Sequence, residues 1–542
     1  MRRNSLVVVA FGALSMALVA CGGGGGGGGG PTYTVTYSGN VSTGGTVPVD
    51  SNSYTQGQTV TVLGNTGSLV KTGYTFASWN TAANGSGTSY APSQTFSMGA
   101  ANVTLYARWT PVASGYSVTY NANGATGGTV PADPGTYYQS SSVTVLGNTG
   151  SLVYTGFRFV GWQTMADGSG TTYAPGGTFL MGTANITLYA LWANGYAYVV
   201  NQNGGSAGTI SQYTIGPNGA LTPMLTRTVA TGGVNSQQIA ADPAGKYVYV
   251  SNVSGNSVSQ FTIGADGVLA PMSTPTISIG PGPSFYPWSI AVHPTGSWTY
   301  VSVMLRPLIY QYAVGADGAL SPMTPATVAG GNYPYTVAVH PSGKYAYLAN
   351  GRDNTVSQYT VNQTTGALTA MTPATVAAGG TSGSENAWRV AVDPKGKYAY
   401  VTNYFDGTVS QYAVNQTNGA LSAMTPATVV TSALYARSIA IDPLGKYAYV
   451  TNPAGTGSDS VRQFNISQTD GTLSPMTPLS VSAGGMGAAD ITIDPTGKFA
   501  YATVTNSVAQ YAIGANGALT LMAHPTVQAG IDPNGITTVK IH

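Results

Sequence analysis

The sequence predicts an all-β protein in which a seven-bladed β-propeller follows two small β-rich repeat modules. Three observations predict it. From Gly195 onward a unit of about fifty residues recurs seven times, the spacing of propeller blades. Before it, a module recurs twice at an offset of 83 residues. The composition agrees. Of 542 residues only 6% are charged and 43% are hydrophobic, with Gly 74, Pro 31 and Tyr 36, against roughly 25% charged in an average soluble protein. That mixture suits short strands, tight turns and an uncharged polar surface. A formal net charge of +2 leaves no field to recruit nucleic acid, so that partner is excluded.

The chain opens with a targeting segment, residues 1–21. Arg2 and Arg3 form a basic start, and Leu6 to Leu18 an apolar stretch too short to span a bilayer comfortably. It ends in Leu18-Val19-Ala20-Cys21, and Cys21 is the single cysteine. Small residues before a cysteine resemble the lipobox of bacterial lipoproteins, which implies lipidation at Cys21 and a membrane partner reached through the lipid. A Gly at position 22, where inner-membrane retention places Asp, implies an outer-membrane location, on its periplasmic or surface face. Residues 22–32 are a glycine-rich tether. Gly22 to Gly30 alone reach about 17 Å root-mean-square as a flexible coil.

The two modules occupy residues 33–110 and 116–193. The phrase Val60-Thr-Val-Leu-Gly-Asn-Thr-Gly-Ser-Leu-Val70 returns unchanged at Val143–Val153, and Trp79 and Trp109 return as Trp162 and Trp192. Alternation in Tyr33, Val35, Tyr37 and in Val103, Leu105 reads as strand. Gly73-Tyr-Thr-Phe-Ala-Ser-Trp79 with Leu105-Tyr-Ala-Arg-Trp109 resembles the internalin-type B-repeat, or Listeria–Bacteroides repeat, and the second copy repeats the resemblance. It implies β-grasp-like modules serving as a stalk, with Pro111 to Gly115 as the joint. The tryptophans sit in apolar strand contexts and are expected in the cores rather than on a sugar-binding platform.

Residues 195–542 carry the seven units. Each holds a Tyr-x-Tyr phrase or a close relative, from Tyr196 to Phe499. Each holds Gln before Tyr or Phe, from Gln212 to Gln510. Each holds a Gly-x-Leu-x-x-Met phrase, from Met224 to Met522. Asp-Pro-x-Gly turns and Asp-Gly or Asn-Gly pairs separate four short strands per unit, the blade of a propeller. Counting from Met522 places one further strand at residues 536–541, and the first unit lacks a strand before it. The C-terminal strand is therefore expected to complete the first blade and close the ring.

Tyr400-Val-Thr-Asn403 and Tyr449-Val-Thr-Asn452 resemble the YVTN propellers, and the seven-unit pattern resembles the lactonase group that includes 6-phosphogluconolactonase. That resemblance implies that the strand before each Asp-Pro-x-Gly is innermost. Its position five residues before the Asp or His then forms a ring of Gln237, Trp288, Tyr335, Trp388, Arg437 and Ala489, with Asn534 added by the count from Met522, and the next position adds Arg389 and Asp490. Trp, Tyr and Arg around a channel mouth suit a sugar, a lactone or an anionic small molecule. Glu385, the single glutamate, and Asp490 are the candidate acid–base groups. His293 and His340 replace the turn Asp and are expected to cap backbone N–H groups. No metal-ligand spacing, phosphate loop or nucleophile elbow occurs, so neither metal nor cofactor is expected.

Together these features predict a lipid-anchored cell-envelope protein whose lactonase-like propeller binds a ligand or adheres to a surface protein or carbohydrate. The alternative is an exported lactonase working at the channel mouth. An adhesin with a sealed channel is the third.

Overall fold

The computed structural model describes residues 30–112, 115–282, 284–380, 386–431, 434–453 and 460–541. Cys21, the targeting segment and Glu385 lie outside the described residues. The chain divides into two compact units, residues 1–114 and 115–542.

In the first unit, Val35–Ser38 pairs in parallel with Val103–Pro111, which pairs antiparallel with Tyr74–Asn80, which in turn holds Ser89–Tyr90. Trp79 is fully buried, donates from Nε1 to Leu63 O at 2.9 Å and meets Tyr37 edge-on at 4.7 Å. The second module repeats this sheet with Trp162 in the same place. Trp162 and Trp192 are likewise buried, so their faces are filled by neighbouring side chains.

The second module and the propeller share the second unit. Its sheet face packs on blade 1, with Val160 and Leu191 beside Thr214 and Met224. Asn218 Nδ2 donates to Asp167 O at 3.4 Å and Thr222 Oγ1 to Gly168 O at 3.2 Å. His524 Nε2 meets the Asp167 carboxylate at 2.8 Å, and Arg158 donates to Ala265 O. The first copy carries Arg108 where the second has Leu191. The second copy has exchanged a cation for a buried apolar contact, as a docked face requires.

Seven four-stranded antiparallel sheets make the propeller. Blade 1 consists of Gly195–Asn201, Ala207–Ile215 and Leu221–Val234, with the C-terminal Pro533–Lys540 innermost. That last strand runs antiparallel to the first, Gly195 opposite Lys540 and Val199 opposite Ile536. The inner strands of blades 2 to 7 are Ser236–Ala241, Pro287–Val292, Pro334–Val339, Ala387–Val392, Ile439–Ile441 and Ile491–Ile493. Each touches its neighbours around the axis.

The recurring residues are the clasps between blades. The second Tyr of each Tyr-x-Tyr is buried and donates its hydroxyl to a turn glycine of the next blade. Tyr198 reaches Gly267 O and Tyr249 reaches Gly318 O, and the series runs to Tyr501, which reaches Gly219 O across the closure at 2.8 Å. Each recurring Gln donates to its own outer strand and accepts from the Leu N–H of the next blade's Gly-x-Leu, as Gln510 does from Leu221 at 2.6 Å. The turn glycine takes a positive φ, +78° at Gly219, and a Cβ there would meet the Phe499 ring at 2.2 Å. Burial therefore keeps the clasp tyrosines neutral, pushing Tyr198 and Tyr400 far above the usual phenol range.

His293 accepts from Thr295 N through Nδ1, and its Nε2 lies 2.8 Å from Gly343 O of the next turn. That partner set fixes the proton on Nε2. His340 repeats the arrangement with Ser342 and Gly396. Burial lowers the His293 pKa.

Candidate functional site

In an antiparallel four-stranded blade, two connections share one end of the sheet: the one from outer strand to the next inner strand, and the one between the second and third strands. The ring residues begin the inner strands at that end. Gln237, Trp288, Trp388, Arg389, Arg437, Ala489, Asp490 and Asn534 line one cavity there. Tyr335 is brought to the same place but is buried behind Trp388.

The floor of the cavity is a polar knot. Asp490 on blade 7 pairs with Arg389 on blade 5 at 3.1 Å, the carboxylate side chain 4% exposed and the guanidinium 25%. The same carboxylate accepts from Ser438 Oγ at 2.6 Å, Gln238 Nε2 at 3.0 Å, and the backbone N–H groups of Ile491 and Ile536 at 2.9 and 3.2 Å. Arg389 also donates to Gln238 Oε1 at 3.0 Å. Blade 2 and blade 5 stand on opposite sides of the ring, so this knot spans the axis. The space left is about 20 Å3, room for about one water molecule. With both oxygens occupied by five donors, Asp490 is built as a clasp; as a base it would first have to give up a donor.

Above the knot stands a wall of aromatic rings from blades 3 to 6. Trp388 stacks between Tyr335, centroids 4.1 Å apart, and Tyr404, 4.6 Å apart. Trp288 is edge-on to Tyr335 at 5.3 Å and to Trp388 at 5.8 Å. Tyr435 and Phe405 each close on Tyr404 at 5.1 Å. Such pairs fix ring orientation beyond what area burial supplies.

Arg437 lies beside this wall. Its Nη2 donates to Asn534 Oδ1 at 2.8 Å, and among the described residues no carboxylate comes within ion-pair distance of it. Burial pulls its guanidinium below the ordinary value, and the nearby Arg389 adds to that, while Tyr404 and Asp490 oppose it. An arginine retains its proton regardless, so the mouth holds a half-buried cation with no carboxylate at ion-pair distance among the described residues.

Ser438, Gln238 and Thr336 also line the cavity. They occupy the same register as Arg389 and Asp490, one position beyond the ring. A search for charge passes over them, whereas applying that register to every blade would have found them. Tyr404 and Tyr435 lie on connections outside the ring register; the local signal for Tyr404 is an aromatic directly after Tyr-Val-Thr-Asn.

Residues 183–483, more than half of the chain, match the family described as "Lactonase, 7-bladed beta-propeller". Residues 33–108 and 116–191 match the Listeria-Bacteroides repeat domain. Two proteins of Evansella cellulosilytica provisionally named as membrane proteins, one of them Gly-rich, are 39% identical over 179 residues and 42% identical over 96. Those matches cover 32% and 18% of this chain, which spans only 20% and 14% of those relatives. Among solved structures, the periplasmic gluconolactonase of Pseudomonas aeruginosa is similar, with a TM-score of 0.54 and 18% identity over 64% of this chain and 99% of that one. A Bacteroides fragilis protein provisionally named 6-phosphogluconolactonase matches with a TM-score of 0.53 and 20% identity over 64% and 98%. At such identities the likeness is one of fold.

Proposed function

We propose, from the premise that the chain belongs to the lactonase family of seven-bladed β-propellers, that its channel mouth binds a small anionic or lactone-type sugar derivative. In this reading the protein is a lipid-anchored binding module of the cell envelope, carried on its repeats. The observation that carries it is Arg437, a half-buried guanidinium with one side-chain partner and, among the described residues, no carboxylate within ion-pair distance. A carboxylate or phosphate would supply the missing bidentate partner. The stacked Tyr335, Trp388 and Tyr404 beside it offer a rigid edge for a sugar ring. Because the knot beneath fills the axis, the ligand sits on this wall and not down the channel.

The family name and the gluconolactonase neighbour favour a second reading, lactone hydrolysis at the same mouth. Hydrolysis needs a free general base, and Asp490 is fully engaged. Titration of the full chain with gluconate, 6-phosphogluconate and glucono-δ-lactone tests both readings. Binding of an acid that weakens at least tenfold in Arg437→Met, without turnover, supports the first. Lactone turnover that disappears in Glu385→Gln replaces it with the second. Binding unaffected by Arg437→Met would sink the proposed mouth site.

A further inference from the structure

The two repeat modules are near copies, yet one buried amide oxygen is satisfied in the first and orphaned in the second. Asn80 of the first copy is fully buried. Its Oδ1 accepts from Ala82 N at 2.8 Å and Gly87 N at 3.1 Å, and its Nδ2 donates to Gly87 O at 2.8 Å and Ser89 Oγ at 2.9 Å, with a longer bond to Gly85 O. The second copy places Gln163 at that position, 1% exposed. Its longer side chain makes none of these bonds, and its Oε1 has no hydrogen-bond partner. Gly168 O, counterpart of one acceptor that Asn80 uses, is taken by Thr222 of the propeller. An unpaired buried amide oxygen opposes folding, so it points to a function at this position.

Gln163 lines a cleft of about 220 Å3 between the second module and the second hairpin of blade 1, which joins Ala207–Ile215 to Leu221–Val234, together with Tyr154, Trp192, Asn123, Asn218 and Thr222. A carboxamide offers one acceptor and two donors. Vicinal hydroxyls, each both donor and acceptor, match it; an anion matches only the donor side. Among the cleft's side chains the single charge is the Asp167 carboxylate, which His524 and Ser169 already hold. An uncharged ligand therefore fits better than an ionic one. The cleft is far larger than the roughly 10–15 Å3 of such space that one water needs. It also falls short of the roughly 300 Å3 at which drug-sized pockets begin. A single ring is the matching size.

We infer that this cleft is a second ligand site, distinct from the channel mouth, that binds one ring of a neutral saccharide through the Gln163 carboxamide. Tyr154 forms its aromatic wall, and the docking of the module on blade 1 creates it.

The test is calorimetric titration of the full chain with D-glucose, D-galactose, N-acetyl-D-glucosamine and their disaccharides. At least one sugar is expected to bind, and Gln163→Asn and Gln163→Leu are each expected to weaken it tenfold or more. Gln163→Asn carries the residue with which the first copy folds, so it remains decisive if Gln163→Leu is poorly folded. Arg437→Met, which reports on the channel mouth, is expected to leave this binding unchanged. Sugar binding that survives Gln163→Asn, or is lost instead in Arg437→Met, would overturn the assignment. So would the absence of binding by every sugar tested, which would leave the cleft to water alone.

Discussion

Arg389 and Asp490 stand on blades 5 and 7 and meet at 3.1 Å across the propeller axis. The carboxylate also accepts from blades 2 and 6, from the backbone of its own blade and from that of blade 1. One buried side chain thus ties together five of the seven blades. Asp490→Ala is expected to cost about 3–5 kcal/mol, because it takes the carboxylate from Arg389 and leaves several buried donors unpaired. Arg389→Met is expected to cost less, nearer about 2 kcal/mol, since Asp490 keeps its other donors. Urea unfolding of both variants measures the asymmetry, and equal losses would contradict the clasp.

The hydroxyl of Tyr501 closes the ring onto Gly219, as Tyr300 joins blade 3 to Gly366. Tyr501→Phe strands a buried carbonyl and is expected to cost about 1–2 kcal/mol. Tyr300→Phe is expected to cost the same, because the two clasps are geometrically equivalent. A markedly larger loss at Tyr501 would identify the closure as the weak seam.

Removing the last eleven residues strips the inner strand from blade 1 and exposes the edge of Gly195–Asn201. An unpaired inner edge invites pairing with another chain. Size-exclusion chromatography of a chain ending at Ile531 is expected to show aggregates or insoluble protein. A stable monomer with unchanged unfolding would disprove the closure by this strand.

Hydrogen bonds from the Ser169 hydroxyl and amide, and then His524, hold the Asp167 carboxyl at about 2, below its ordinary 3.8. A depressed carboxyl stabilises the folded state above its unfolded pKa and loses that contribution as the pH falls through its folded value. The Asp167–Ser169 turn, and to a lesser degree the His524 contact made on it, are thus expected to weaken between about pH 4 and pH 2. The pair is well exposed to solvent, so the effect is small. Thermal unfolding across that range is expected to be steeper for the wild type than for Asp167→Asn, and parallel curves would contradict the depressed carboxyl.

The repeats made most of this architecture legible. Seven recurrences of Gln and of Tyr-x-Tyr gave the blade count, and the unpaired final strand gave the closure, because a ring must join its two ends. The ring register gathered Trp288, Trp388, Arg389, Arg437 and Asp490 at one mouth, because equivalent positions in radial repeats converge on the axis. Other features required the folded chain. Asp490 offers the same carboxylate whether free or held by five donors, and only the blades surrounding it decide which. Tyr404 joins the stack with Trp388 through a loop whose path no register specifies. Gln163 and Asn80 are both carboxamides in sequence. Only the folded chain shows that the first copy's amide oxygen finds two backbone donors and the second copy's finds none. Local pattern thus determined the strands, turns and repeat count of this protein, while side-chain satisfaction, which depends on partners hundreds of residues away, was decided by tertiary structure alone.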